Sequence, residues 1–307
     1  MLNALTVRGF RRATVTLAAV LLLSACASGP SARKEAAPLV SGASGGPVFV
    51  AGKAGRLFVD DGGSGGVPVV FVHGLAGDHG VWTGALAHLR TGRRAVALDL
   101  RGHGASDPSA RGDYGMESFA DDVASVADAL GLERFVLVGH SMGGAVVAAY
   151  AQHHPERVAG LFFVDSVGDL SGAPRSGLEA WLEGLEPESY AESTTRWFGG
   201  LLLQAKPEVR DQVLAALRRT DPAVVRGAAN SLTRFPTAAA LAGFEGPMEA
   251  LVTTENSGPV SLQNLVPGLE ARVVEGASHW IMLDEPVAFD GWLDAFLGRV
   301  DEAEGRG

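Results

Sequence analysis

Six short apolar runs, each followed by Gly, Asp or Ser turn chemistry and separated by longer or helical stretches, leave few folds open to this chain. They occupy residues 67–72, 94–99, 135–139, 160–165, 250–253 and 271–274. A continuous run such as Val67-Pro68-Val69-Val70-Phe71-Val72 suits a strand covered on both faces. Residues 116–130 carry Glu117, Asp121 and Asp122 early and stop before Gly131, as the helix dipole and a glycine C-cap require. Residues 141–153 and 286–300 read as further helices, and residues 48–51 and 56–60 as a short antiparallel start. This alternation predicts an α/β fold: a mostly parallel sheet flanked by helices on both faces, with ligands at the carboxyl ends of the strands.

Residues 169–246 break the pattern. They hold Trp181, Tyr190, Trp197, Phe198, Leu201-Leu202-Leu203 and Phe235, with helical spacing over 209–219 and no clear strand. An inserted helical cap is expected here, between core segments 48–168 and 247–307. With 47% hydrophobic and 20% charged residues, a large core is available, and a disordered tail, a collagen-like repeat or a disulfide scaffold is excluded.

The N-terminus has a different character. Arg8, Arg11 and Arg12 precede an apolar run over 13–23, too short to span a bilayer, and Leu23-Ser24-Ala25-Cys26 follows. This resembles a bacterial lipoprotein signal over residues 1–25, with Cys26, the sole cysteine, as the lipidated mature N-terminus. Residues 26–47, rich in Ser, Gly, Ala and Pro, read as a flexible tether. The resemblance implies a lipid-anchored protein of the cell envelope, on the outer membrane or the extracytoplasmic face of the inner one. Ala27 lacks the carboxylate that often retains lipoproteins at the inner membrane, which favours the outer. Removing three arginines takes the net charge from −10 to −13, a surface that repels nucleic acid.

The chemistry concentrates at Gly139-His140-Ser141-Met142-Gly143, a G-x-S-x-G pattern between a predicted strand and a predicted helix. The flanking glycines permit a sharp turn that projects the serine hydroxyl, and the helix N-terminus behind it favours negative charge. Here the chain resembles the α/β-hydrolase superfamily over nearly all of residues 55–300. Val70-Phe71-Val72-His73-Gly74-Leu75 is similar to its His-Gly oxyanion loop, and Asp99-Leu100-Arg101-Gly102-His103-Gly104-Ala105-Ser106 to its Asp-x-Arg-Gly-x-Gly-x-Ser segment. Gly276-Ala277-Ser278-His279-Trp280 resembles its catalytic histidine loop.

The resemblance implies Ser141 as nucleophile, His279 as general base, and the backbone N–H groups of Leu75 and Met142 as the oxyanion hole. His73 and His140 are expected to stabilise turns. The adjacent His153 and His154 point apart on a helix and are not expected to bind metal. For the acid, the usual aspartate after the strand that follows the cap is missing from residues 251–259. Glu255, four residues before Pro259, is the nearest carboxylate. Asp165, ending the strand before the cap, is the alternative, a position used for the acid in some relatives such as certain haloalkane dehalogenases.

Ser141, in place of the elbow aspartate of epoxide hydrolases and dehalogenases, points to acyl transfer to water. The expectation is a carboxylesterase-like serine hydrolase that cleaves an ester, thioester or lactone of a small to medium apolar substrate through an acyl-enzyme, with no cofactor and no metal. Two other readings stay open at this level. One is a non-catalytic hydrolase-fold binding module on the envelope. The other is a perhydrolase or lyase using the same serine and histidine.

Overall fold

The computed structural model describes residues 46–305. The signal, Cys26 and all but the last two residues of the tether lie outside the described residues. Eight strands form one sheet: β1 Gly46–Ala51, β2 Arg56–Gly62, β3 Val69–Val72, β4 Ala95–Leu98, β5 Phe135–His140, β6 Val158–Val164, β7 Met248–Thr253 and β8 Glu270–Val274. Their spatial order is β1-β2-β4-β3-β5-β6-β7-β8. The β1–β2 and β2–β4 pairings are antiparallel and all the others parallel. This is the mostly parallel sheet that the alternation of apolar runs predicts.

The helices are α1 Thr83–Leu89, α2 Met116–Ala129, α3 Met142–His153, α4 Arg175–Glu183, α5 Tyr190–Leu201, α6 Pro207–Arg219, α7 Pro222–Leu232, α8 Thr237–Ala240, α9 Leu262–Leu265, α10 Ile281–Asp284 and α11 Pro286–Ala303. Strands β3 to β6 are buried at every residue, which is why their sequences are apolar without alternation. In β6, successive side chains serve opposite faces. Phe162 meets Phe296 of α11 with ring centroids 5.1 Å apart, while Phe163 lies against Gly144 of α3. The sheet is thus covered on both sides.

Helix α2 ends one residue before the expected boundary. Gly131 follows at φ 64°, and the Leu132 N–H donates to Ala127 O at 2.8 Å, a closure that needs left-handed backbone at the glycine. Strand β8 departs from the buried pattern expected of it. Four of its five residues are exposed, because it pairs only with β7, and Glu270 and Arg272 put charge along that open edge.

Helices α4 to α8 occupy the chain between β6 and β7, with no strand among the described residues there. Among the described residues, no helix is long and apolar enough to cross a membrane.

Candidate active site

The turn from β5 into α3 places Ser141 at φ 53° and ψ −120°, a left-handed conformation rare for a residue with a side chain. Two contacts hold it: Ser141 N–H donates to Val164 O and Gly144 N–H to Ser141 O, each at 3.0 Å. The surroundings explain the glycines. A Cβ on Gly139 would lie 2.5 Å from Gly143 O, and one on Gly143 would lie 2.5 Å from Val72 O. Neither backbone can retreat without moving β3, β5 or α3, so only glycine fits at either flank.

His279 stands in the loop between β8 and α10, 8% exposed. Its Nδ1 lies 2.6 Å from Oδ2 of Asp165, which is 1% exposed and follows directly on the last residue of β6. Asp165 is itself at φ 42°. Thr253, the last residue of the neighbouring strand β7, donates to Asp165 Oδ1 from its backbone N–H at 2.7 Å and from its hydroxyl at 3.0 Å. Asn256 in the following turn donates to the carbonyl oxygens of Asp165 and Ser166. Glu255, the first carboxylate expected from the sequence, is exposed on that turn. The geometry pairs His279 with Asp165 and not with Glu255. The end of β7 and its following turn supply hydrogen-bond donors to the carboxylate and main chain of Asp165, and the glutamate between those donors faces water.

The other histidines brace the site. His140 is fully enclosed, and its Nε2 donates to the carbonyl oxygen of His279 at 2.9 Å. Burial, then the adjacent His279 ring, holds its pKa well below the usual imidazole range, so it is a neutral donor that fixes the His279 main chain. His73 Nδ1 donates to Gly74 O at 2.7 Å, and its Nε2 accepts from Leu100 N–H at 3.1 Å. Burial lowers its pKa too, against the pull of Asp99. His103 is pushed down to about 3 by burial and by His73. Asp99 accepts from His79 N–H and Ala105 N–H, and the buried Arg101 is forked onto Asp122. The Asp-x-Arg-Gly-x-Gly-x-Ser segment therefore buttresses the His73-Gly74 turn from behind.

Leu75 follows directly on that turn, and Met142 opens α3. Among the described residues neither N–H donates to another group, as expected at a helix N-terminus for Met142. Both residues line an apolar cavity of about 230 Å³ that reaches Ser141. Its remaining walls include Val167 and Leu170 after β6, Trp181 of α4 and Trp197 of α5. A second cavity of about 20 Å³ also reaches Ser141, is lined by His279 and is walled in part by Trp197, Phe198, Leu201 and Trp280.

A clamp outside the expected residues holds the His279 loop to the helical insertion. His279 N–H donates to Leu201 O at 3.3 Å. Asp284, 2% exposed, accepts from Ser278 N–H at 2.9 Å and from Lys206 N–H at 3.2 Å. The sequence places Asp284 only as the start of the last helix, and nothing local marks it as a clamp, since its partners are 6 and 78 residues away. Among the described residues no group of three or more His, Cys, Asp or Glu side chains is arranged to hold a metal ion.

Comparison with known proteins agrees with this architecture. The family model described as alpha/beta hydrolase fold matches residues 67–237, more than half of the chain. The sn-1-specific diacylglycerol lipase ABHD11 of Danio rerio is 28% identical over 261 residues, covering 78% of this chain and 81% of that one. A dihydrolipoyllysine-residue acetyltransferase component of the acetoin cleaving system of Pseudomonas putida is 42% identical over 120 residues, 39% of this chain, which spans only about a third of that protein's length (32%). A solved structure of a thermophilic esterase from Thermogutta terrifontis superposes with a TM-score of 0.72 at 26% identity, over 83% of this chain and 98% of that one.

Proposed function

This chain belongs to the α/β-hydrolase family and is a hydrolase acting on ester bonds, and we propose that it works through Ser141, His279 and Asp165 on carboxylic esters with small to medium apolar acyl groups. The observation that carries this reading is the 2.6 Å contact between His279 Nδ1 and Asp165, with Ser141 and His279 lining one cavity. With Asp165 accepting from Nδ1–H, the free lone pair of His279 is on Nε2, the nitrogen that must take the Ser141 proton. Ser141 Oγ then bonds to the ester carbon, and the carbonyl oxygen becomes an oxyanion facing the Leu75 and Met142 N–H groups, each such donor contributing about 3 kcal/mol. As the C–O bond breaks, the Nε2 proton passes to the alcohol oxygen. Water repeats the sequence on the acyl-enzyme, giving the carboxylic acid and free Ser141.

The esterase and the lipase that resemble this chain support an ester substrate, and the apolar walls of the larger cavity support an apolar acyl group. The expected result is one fluorophosphonate adduct per molecule of full-length protein by intact mass, absent from Ser141→Ala, together with acid release from a series of methyl esters. A folded protein that takes no adduct and cleaves no ester would turn the reading towards a binding module.

The N-terminal sequence supports a second proposal, that the enzyme is tethered to a membrane through lipidated Cys26. Two acyl chains exceed the marginal binding given by one. The native protein should fractionate with membranes and carry added lipid mass, while Cys26→Ser should appear in the soluble fraction. Equal partition of the two forms would remove the anchor.

A further inference from the structure

The two cavities that meet at Ser141 differ about tenfold in volume, and they serve different halves of an ester. The assignment follows from where protons and charge must go. The oxyanion sits near the N–H groups of Leu75, which lines both cavities, and Met142, which lines only the larger. The alcohol oxygen must receive its proton from His279, which lines only the smaller one. The acyl chain therefore extends into about 230 Å³ and the alcohol into about 20 Å³. The smaller space admits one water or a group of roughly methyl size.

That limit is built in rather than adjustable. Trp197, Phe198 and Leu201, along the end of α5, form its wall, and Phe198 is only 2% exposed, with its ring 6.1 Å from that of Trp280. The wall is tied to the base itself by the His279 N–H to Leu201 O bond, and Lys206 is tied to Asp284 just beyond it. Moving the Leu201 main chain outward costs the bond to His279 N–H. The same small space is suited to the second half-reaction, in which water replaces the departed alcohol beside His279.

We propose that this enzyme is selective for esters of very small alcohols, permissive on the acyl side, with Leu201, Phe198 and Trp197 as the residues that set the limit. This rests on Ser141 and His279 acting as nucleophile and base. The test is kcat/KM of the full-length protein on methyl, ethyl, propyl and butyl butyrate, and the same series with Leu201→Ala, which keeps the backbone carbonyl that His279 uses. The wild type should prefer methyl over butyl by about 100-fold or more, since each misfitting methylene is worth roughly tenfold or more. Leu201→Ala should shrink that ratio by at least about tenfold. A flat wild-type series overturns the proposal without help from any variant, as does a folded Leu201→Ala with the wild-type ratio. Failure of the underlying reading looks different: no ester of the series is cleaved and no fluorophosphonate adduct forms.

Discussion

Asp165→Asn lowers kcat on a methyl ester by about 10⁴-fold, while Glu255→Gln stays within about twofold of the wild type. The argument is one of tautomers. The amide that replaces the carboxylate keeps its oxygen towards the Thr253 N–H, which the aspartate engages at 2.7 Å, and so turns its NH₂ towards His279 Nδ1. Nδ1 must then accept, the imidazole proton moves to Nε2, and His279 can no longer take the Ser141 proton. The cavity walls are untouched, so KM changes little and the loss falls on kcat. Glu255 lies exposed on its turn, where water screens its charge. Steady-state kinetics of both variants, with fluorophosphonate labelling rates beside them, give the answer. Comparable losses in the two, or a near-normal Asp165→Asn, would exclude Asp165 as the orienting acid.

A second large effect comes from acid. His73, His103 and His140 are all buried, and all have pKa values lowered chiefly by burial. Below about pH 6.5 the unfolded chain takes up a proton at each of these rings more readily than the folded chain does, so falling pH favours unfolding. Each group contributes up to about 1.4 kcal/mol per pH unit, and the three together up to about 4 kcal/mol per unit. For His103 the loss continues down to its folded value of about 3. His79 acts in the opposite sense. Burial lowers its pKa but the bond to Asp99 outweighs that, so its contribution is present in acid and fades as pH rises through its folded pKa. One opposing group against three leaves a net acid sensitivity. With a total stability of about 5–15 kcal/mol typical of a domain, the urea midpoint should drop steeply between pH 7 and pH 5. His103→Gln, which removes the titration that extends furthest into acid, should flatten that slope. A midpoint constant over this range would mean the rings titrate alike in the folded and unfolded chains.

The fold was legible because burial on both faces leaves a strong signature: β3, β5 and β6 are written as unbroken apolar runs, and each meets its turn where the sequence changes character. Ser141 and His279 were legible because their loops need particular neighbours, glycines at 139 and 143 above all. The orienting carboxylate was not fixed by such rules. What marks Asp165 is the pair of donors from Thr253, 88 residues away, and these become neighbours only when β6 and β7 lie side by side. Residue order offered Glu255 and Asp165 alike, and only distance to the imidazole separates them. The Asp284 clamp was hidden for the same reason, and so was the division of the site into unequal halves. Both depend on how the turn after α5 meets the His279 loop, a contact between segments with no common local pattern.

The bond from His279 N–H to Leu201 O gives the histidine loop and the end of α5 a common support. A substitution that shifts the end of α5 alters the seat of the imidazole together with the room beside it, so alcohol selectivity and turnover are coupled through one shared support.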